Sequence, residues 1–317
     1  MHAPTCCGIS DRQRLVHGTY PSILDSLGRG APVDLVSIGG GCIAAARVAT
    51  FANGSRVFIK SAAAGRRTMA SDMFEREAEG LRALAAAHAI RVPEVLAVNE
   101  QALVLEMIRT APKKSGFAQD FGRSFAALHQ HRGKTSGFVH DNYIGASRQY
   151  NAPLDGPWDV AAADDGSGWP EFFFERRLRA QVRLARSGAD DLRLEQLLDR
   201  AEAPIIELLR TATEAPSLLH GDLWSGNFIV DEHGEACLID PAVYYGHREA
   251  DLAMTRLFGG FEPSFYAAYA EVSPLAPGHQ DRVAVYQLYH VLNHLNLFGG
   301  GYFEQSKRIL ERYARQD

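Results

Sequence analysis

Short apolar stretches separated by turn residues dominate the first third of the chain, and they predict β-strands. Leu35–Ile38 leads into three glycines, and a second stretch runs from about Cys42 to Phe51. Asn53-Gly54 separates that stretch from Arg56–Lys60, and this dipeptide is a strong signal for a two-residue hairpin turn. Two further apolar runs follow, so the pattern predicts a sheet. These runs are Val95–Val98 and Ala102–Leu105.

One helix interrupts these strands. It is predicted to begin near Met73, capped by Ser71 or Asp72. Apolar side chains recur at helical spacing and predict one packed face. That face consists of Phe74, Ala78, Leu81, Leu84 and Ala85. Glu77 projects on the same side, where an unpaired carboxylate would be costly to bury, so Lys60 at the end of the preceding strand is its expected partner.

The rest of the chain is predicted to be mainly helical. Apolar residues recur at helical spacing from Phe117 to Leu128, and further helices are expected over 171–187, 192–211 and 286–298. Gly133–Trp169 is rich in glycine, aspartate and proline, and a loop of that length is usually functional or disordered. A β-rich first part and a helical remainder predict an α+β fold.

Composition narrows the class of protein. The 317 residues are 46% hydrophobic and 22% charged, with a formal net charge of −5. This balance suggests neither a nucleic-acid partner nor an anionic membrane. The first residues lack the apolar core of a signal peptide, and no apolar run approaches the length of a membrane span. Four cysteines without metal spacing are expected to be free thiols in a reducing cytoplasm.

The strongest chemical pattern is the segment His220–Asn227 together with Asp240. Asp222 and Asn227 are five residues apart, which is the spacing of the catalytic aspartate and the metal-binding asparagine in kinase catalytic loops. Residues 228–239 form two apolar runs around a polar turn, which predicts an antiparallel hairpin. Asn227 and Asp240 should therefore lie together at its open end. Their oxygens suit Mg²⁺ bound to the phosphates of a nucleotide.

Residues of the predicted sheet supply the other parts of a nucleotide site. The backbone N–H groups of Gly39, Gly40 and Gly41 could approach phosphates closely, although this pattern alone is weak. Lys60 is expected to clamp the phosphates, with Glu77 holding it in place. The backbone of Glu106, Met107 and Ile108 is expected to form the hinge and to bind the adenine edge.

Beyond these patterns, the chain resembles the fructosamine kinase (ketosamine-3-kinase) family, which is related to aminoglycoside and choline kinases. The resemblance extends from Gly39 to Tyr302. Two departures stand out: His247 occupies a position where relatives are expected to have aspartate, and Gly156–Ser167 resembles an insertion. The matching segments are Met73–Leu81, Asp141–Gly145 with Gln149 and Asn151, His220–Asn227, Asp240–Met254 and Tyr289–Gly299.

The resemblance implies a protein-kinase-like bilobal fold, with a small β-rich N-lobe over residues 1–108 and a larger helical C-lobe over 109–317. It also implies an ATP- and Mg²⁺-dependent enzyme that phosphorylates the 3-hydroxyl of a ketosamine, free or on a glycated protein side chain. Such an enzyme would act in protein deglycation. Asp222 would align the attacking hydroxyl, whereas Asn227 and Asp240 would hold the metal. His220 and Asp251 are expected to stabilise the catalytic loop.

Trp224 points to a sugar substrate. It lies two residues after Asp222, where Ser/Thr protein kinases usually carry a lysine, and an aromatic ring suits the C–H face of a carbohydrate. Packing of Trp224 under the loop is the alternative. Neutral side chains that could bind sugar hydroxyls are Asn142, Gln149, Asn293 and His294.

Other functions stay open at this stage. An aminoglycoside kinase would want an acidic pocket, for which the C-terminal helices offer few clustered carboxylates. A non-catalytic pseudokinase would be expected to lack Lys60 or Asp222. Only ten residues separate Asp240 from Asp251, which argues against a regulated protein kinase. Cys42, directly after the glycines, is a candidate redox-sensitive thiol. The sequence leaves the oligomeric state, monomer or dimer, undecided.

Overall fold

The computed structural model of the chain describes residues 22–38, 44–62, 70–156, 158, 161, 164–185 and 191–315. Its first part is a five-stranded antiparallel sheet with the strand order β1-β2-β3-β5-β4. At the β2–β3 turn, Gly54 has a φ of +79°, and the hairpin predicted there is confirmed. The strands are β1 (Pro32–Ile38), β2 (Ala44–Phe51), β3 (Arg56–Ala62), β4 (Val95–Asn99) and β5 (Ala102–Glu106).

Alternating side chains separate the two faces of this sheet. Val57 and Ile59 of β3 lie in a small apolar cluster that also contains residues of the 3₁₀ helix Ser22–Leu27. Phe58 and Lys60 lie on the opposite face, because successive residues of a strand point to opposite sides. That face packs against the helix that follows β3, so Lys60 is directed toward this helix.

Helix α1 spans Met73–Ala86 and begins where it was predicted. Phe74, Ala78, Leu81 and Leu84 are buried as expected, but Ala85, in the last turn, is exposed. The predicted capping hydrogen bond is wrong, because the side chain of Asp72 makes none. Its carboxylate instead accepts a hydrogen bond from the Tyr143 hydroxyl at 2.6 Å, a partner distant in sequence.

The remaining chain is mainly helical, which confirms the α+β class. A π-helical segment, Phe174–Arg179, continues one of these helices into the next. Gly122 lets two helices cross closely, because a side chain at this position would overlap the carbonyl oxygen of Phe265. The helices are α2 (Phe117–Leu128), α3 (Trp169–Phe173), α4 (Ala180–Ala185), α5 (Asp191–Arg210), α6 (Glu249–Thr255), α7 (Pro263–Val272), α8 (His279–Phe298) and α9 (Tyr302–Ala314).

A small hairpin occupies part of the segment 133–169, which was expected to be a loop. Its strands are β6 (Asn142–Ile144) and β7 (Ser147–Gln149). These short strands are mostly polar (Asn142, Ser147, Arg148 and Gln149), so no apolar run marked them in the sequence. The hairpin lies beside α1, where the Tyr143–Asp72 bond is joined by a 2.8 Å contact between His140 Nδ1 and Glu79 Oε1.

Two pairs of short antiparallel strands frame the catalytic segment. They are β9 (Phe228–Val230) with β10 (Ala236–Leu238), and β8 (Ser217–Leu219) with β11 (Tyr244–Gly246). The first pair is the predicted hairpin. None of the helices in the described ranges is long and apolar enough to span a membrane.

Arg91, between α1 and β4, connects the sheet to the β9–β10 hairpin. Its carbonyl oxygen accepts the N–H of Leu238 at 2.9 Å. Its guanidinium group lies 2.9 Å from a carboxylate oxygen of Asp231 and 2.7 Å from one of Glu106. The two lobes are therefore joined on this side as well as along α1.

Candidate active site

The buried carboxylate of Asp251, in α6, fixes the start of the catalytic loop. It accepts the backbone N–H groups of His220 at 2.7 Å and Gly221 at 2.8 Å. The ring of His129 lies 3.2 Å from the same carboxylate. Burial alone would raise the pKa of Asp251, but its hydrogen bonds and the neighbouring histidines lower it below the usual value. Asp251 is therefore a charged anchor beneath the loop.

Asp222 and Asn227 are brought together, as their spacing predicted. The amide nitrogen of Asn227 donates to the backbone oxygen of Asp222 at 2.8 Å and to its carboxylate at 3.1 Å. Burial, with the negative charge of Asp240 as the next cause, raises the pKa of Asp222 well above its usual value. A carboxylate in this state is a stronger acceptor for the proton of a hydroxyl group.

Asp240 lies at the open end of the β9–β10 hairpin. The last backbone pair of the hairpin joins Ile239 to Asn227, with the N–H of Ile239 donating at 3.0 Å. Asp240 is one residue beyond this pair, and its φ of +55° is uncommon for a residue other than glycine. The chain therefore turns at Asp240, on the edge of the site.

Lys60 joins the two lobes across the site. Its ammonium group lies 2.5 Å from a carboxylate oxygen of Glu77 and 2.5 Å from one of Asp240. The side chains of Lys60 and Glu77 are only 14% and 17% exposed, whereas that of Asp240 is 48% exposed. Burial alone would lower the pKa of Lys60, but the two carboxylates raise it, so the ammonium stays charged.

The oxygens available around Asp240 suit a hard divalent cation. The amide nitrogen of Asn227 is bound to Asp222, which leaves its amide oxygen available to a metal ion. Asp240 supplies a half-exposed carboxylate. Carboxylate and amide oxygens are the ligands that Mg²⁺ takes in phosphoryl-transfer sites, so this donor set fits the metal.

The other predicted nucleotide contacts are only partly covered by the structure. Gly39, Gly40 and Gly41, and also Cys42, lie outside the described residues. At the hinge, the carboxylate of Glu106 faces Arg91, and Ile108 is buried. Met107 is half-buried between them. Adenine binding by this backbone stays a prediction.

Two of the predicted substrate-binding residues are bound to protein groups instead. Asn142 donates to the carbonyl of Val243 at 2.7 Å, and Gln149 donates to Asn142 at 2.8 Å and to the carbonyl of Ala242 at 3.0 Å. The amide oxygen of Gln149 accepts the Tyr289 hydroxyl. Both amides are buried, so they hold the β6–β7 hairpin onto the segment after Asp240 and are not available to a sugar in this structure.

Aromatic rings surround the mouth of the site beside Asp222. Trp224 is half-buried and meets the ring of Phe258 edge-on, with 6.1 Å between centroids. The ring of His294 lies 4.7 Å from that of Phe258. Trp224 and His294 thus border one partly open surface next to the catalytic loop.

The face of α8 directed toward Asp222 carries two buried polar groups with unused hydrogen-bonding capacity. His290 Nδ1 is 3.7 Å from a carboxylate oxygen of Asp222, beyond hydrogen-bond distance. Among the described residues, neither this nitrogen nor Oδ1 of Asn293 has a hydrogen-bond partner. Buried polar atoms are almost always paired, so both atoms are available to bind a ligand or water.

Comparison with known proteins places this geometry in a family. The model of the fructosamine kinase family matches residues 22–316. The chain belongs to the fructosamine kinase family. It is similar to the "probable ketoamine kinase" of Synechocystis sp., with 42% identity over 77% of this chain and 79% of that protein. It is 38% identical to the chloroplastic protein-ribulosamine 3-kinase of Arabidopsis thaliana over 88% of this chain and 82% of that protein.

Solved structures agree with the family. A candidate fructosamine-3-kinase from Thermobifida fusca has 30% identity and a TM-score of 0.74, covering 91% of this chain and 95% of that one. The aminoglycoside phosphotransferase APH(4)-Ia, at 15% identity and a TM-score of 0.59, shares the fold alone over 93% of this chain and 98% of that one. The chain therefore has the protein-kinase-like fold. As a member of the fructosamine kinase family it is an ATP-dependent phosphotransferase.

Sequence reasoning did not assign three residues to this site. His129, at the end of α2, is a lone histidine without a spacing signal. Asn293 and His294 were assigned to the substrate, but His290 on the same helix was not, although it lies 3.7 Å from Asp222. Phe258 had an available signal, since it precedes two glycines directly after α6.

Proposed function

We propose that this protein transfers the γ-phosphoryl group of ATP to the 3-hydroxyl of a ketosamine of the fructosamine or ribulosamine type. The family match and the names of the relatives support this class of substrate. The relative from Arabidopsis thaliana is named for ribulosamine carried on protein, which supports a ketosamine borne by a protein side chain.

The observation that carries the proposal is the neutral polar surface beside Asp222. Burial lowers the pKa of His290 to about 3, so its imidazole is uncharged at neutral pH. A neutral imidazole offers one donor and one acceptor, and the amide of Asn293 offers both kinds of group. These groups suit the hydroxyls of a sugar. A polycationic aminoglycoside would be better served by carboxylates in their place.

Asp222 would accept the proton of the 3-hydroxyl while the oxygen of that hydroxyl bonds to the γ-phosphorus. The bond between that phosphorus and the oxygen bridging to the β-phosphate breaks, and ADP leaves. Asn227 holds the Asp222 carboxylate in place through its amide nitrogen. The raised pKa of Asp222 matches its role as the proton acceptor.

The phosphates would be positioned by the cationic side of the site. Lys60, kept charged by Glu77 and Asp240, is placed to bind phosphate oxygens. Mg²⁺, held by Asn227 and Asp240, would supply positive charge that stabilises the phosphate oxygens when bound. The half-buried ring of Trp224 is placed to pack against the C–H face of the sugar.

The test measures ADP release by the purified protein with ATP and Mg²⁺ against four acceptor classes. These are ketosamines, aminoglycosides, choline and peptides. Rapid release with fructosamine- or ribulosamine-type acceptors, and phosphate on the 3-hydroxyl by NMR, is expected. Turnover of aminoglycosides or peptides without any turnover of ketosamines would contradict the proposal. Action in protein deglycation and a cytoplasmic location belong to the same proposal.

A further inference from the structure

The tetrapeptide Leu-Phe-Gly-Gly occurs twice in the chain, at 257–260 and at 297–300. The first copy follows α6 and the second ends α8. Although the copies are far apart in sequence, both phenylalanines contact one ring. The centroid of His294 lies 4.7 Å from that of Phe258 and 5.5 Å from that of Phe298. Both segments therefore contact His294, which lies in the last turns of α8.

The chain turns at the two glycines of each copy. Gly259 and Gly260 have φ values of +103° and +72°, and Gly299 and Gly300 both lie at +65°. The copies differ at the phenylalanine, because Phe298 is the last residue of α8 whereas Phe258 has a φ of +50°. That value is uncommon for a bulky residue and is held only when surrounding contacts require it.

Together with Trp224 these rings form a continuous row, which we call the aromatic row (Trp224, Phe258, His294 and Phe298). Trp224, two residues after Asp222, meets Phe258 at 6.1 Å. At the other end Phe298 is 56% exposed. The row therefore leads from the phosphoryl-transfer site to solvent.

Glycines near the outer end of the row border open space. A Cβ atom added at Gly259, Gly299, Gly300 or Gly301 would meet no other atom within 4 Å. Glycines without neighbouring side chains let another backbone approach closely. The outer end of the row is thus accessible to a large molecule and not only to a small solute.

We propose that the aromatic row is the subsite for the substituent on the ketosamine nitrogen, and that it takes an alkyl-ammonium arm such as the lysine side chain of a glycated protein. This inference rests on the proposed function. With the 3-hydroxyl at Asp222, the nitrogen on C1 is three bonds from C3, about 4 Å away. Its substituent can therefore begin beside Trp224, which is two residues from Asp222 in the catalytic loop.

The chemistry of the row matches that arm. The secondary amine of a ketosamine carries a positive charge when protonated, and aromatic faces attract cations. The methylene groups of a lysine side chain gain from contact with apolar rings. The exposed Phe298 would cover the outer methylenes, and the open glycines would admit the protein backbone beyond them.

The test compares two acceptors with the same sugar, 1-amino-1-deoxyfructose and Nα-acetyl-Nε-(1-deoxyfructosyl)-lysine amide. The measured quantity is the ratio of kcat/KM for the lysine adduct to kcat/KM for the bare aminosugar. Phe298→Ala is expected to lower this ratio about five-fold, mainly through KM, because the lost contact is made equally in the ground and transition states. Leu192→Ala, which removes a similarly exposed side chain on α5, is the matched control and keeps the wild-type ratio.

The outcomes separate the two proposals. An unchanged ratio in Phe298→Ala, with wild-type activity on both acceptors, would overturn the subsite and leave the proposed function standing. Phe258→Leu tests the inner part of the row. In this variant too, the ratio of kcat/KM for the lysine adduct to kcat/KM for the bare aminosugar should fall. A wild-type protein inactive on both acceptors would overturn the proposed function together with the subsite.

Discussion

Asp222 has few of the contacts that a carboxylate normally needs when it is buried. Its principal partner is the amide of Asn227, and the negative charge of Asp240 lies nearby. Its raised pKa means that folding disfavours the ionised form, so the charged side chain destabilises the native state. The residue that we propose as the proton acceptor is therefore also a local source of instability.

Asp222→Asn should remove the proton acceptor, and it should also remove the destabilising effect of the negative charge on the native state. We expect turnover to fall by about a thousand-fold or more, the upper range for loss of a general base. The melting temperature of the metal-free variant should equal or exceed that of the wild type, because a neutral amide is cheaper to bury than a carboxylate. ADP release and thermal melts of the two proteins measure both effects. Turnover near the wild-type level in the folded variant would disprove the role of Asp222.

The sequence predicted the charged residues of the site better than the neutral ones. Lys60 and Glu77 meet as expected, because burial makes their charges depend on one another, whereas the contact of Lys60 with Asp240 was not predicted. Asn142 and Gln149 were placed with the substrate, yet they bind backbone carbonyls. An amide has the same sequence signature in both situations, so only the structure separates them.

At the level of elements, the position of α1 depends on the β6–β7 hairpin of the other lobe. Asp72 directly precedes α1 and receives the Tyr143 hydroxyl, while Glu79 contacts His140. Gly80 lies flush against Val243, which follows the catalytic segment. Because Glu77 lies between these contacts, the hairpin sets the place of the Lys60–Glu77 pair.

Tyr143→Phe removes the bond to Asp72 without removing the ring. We expect kcat/KM for ATP to fall about three- to ten-fold, the size of effect expected when a hydrogen bond worth about 1 kcal/mol is lost. Initial rates at varied ATP and saturating acceptor measure the change. Tyr150→Phe, an exposed tyrosine just after the same hairpin, is the control. Equal rates in the two variants would show that the bond does not position α1.

Gly122→Ala tests the close crossing of α2 and α7. The added methyl group would overlap the carbonyl oxygen of Phe265, so the helices must move apart. The gain in helix propensity, about 1 kcal/mol, should be exceeded by the cost of overpacking, for a net loss of about 1–2 kcal/mol. Urea denaturation measures the free energy of unfolding. Gly301→Ala, next to open space with a φ of −62°, should unfold at the wild-type urea concentration or above.

Long elements were predictable because their pattern repeats. The strands of the main sheet and α1, α2, α5 and α8 show several periods of alternating or helical spacing. The strands β6, β7, β8 and β11 have three residues each and gave no such signal. The predicted cap of α1 is wrong for a different reason, because the Asp72 carboxylate binds the distant Tyr143 hydroxyl and not the backbone of the helix.

On the scale of the whole molecule, buried neutral histidines make stability depend on pH. Burial lowers the pKa of His290 to about 3, and it also lowers the pKa values of His129 and His220. The groups that act on His290 are Asp222 at 3.7 Å, His294, Asp251 and Arg177. The contribution of the buried, uncharged histidines to stability is fully present above their unfolded pKa near 6.5 and is lost as the pH falls below that value.

The free energy of unfolding should therefore fall on acidification, with about 1.4 kcal/mol lost to His290 alone between pH 7.5 and 5.5. His290→Asn should reduce the pH dependence by that amount, whatever its effect on stability at pH 7.5. Chemical denaturation at three pH values gives the slopes, with His88→Asn, an exposed histidine, as the control. An unchanged slope in His290→Asn would show that this imidazole is not buried neutral.

The link through Arg91 has a consequence for cooperativity. Its backbone and guanidinium group bind the β9–β10 hairpin of one lobe and Glu106 of the other, and these contacts are separate from those between α1 and the β6–β7 hairpin. When one lobe unfolds, the other lobe loses the contacts at both of these places. The two lobes should therefore unfold together. Scanning calorimetry is expected to show one transition, with a calorimetric enthalpy equal to the van't Hoff enthalpy. In Arg91→Ala the sheet should melt first, as a separate transition at lower temperature.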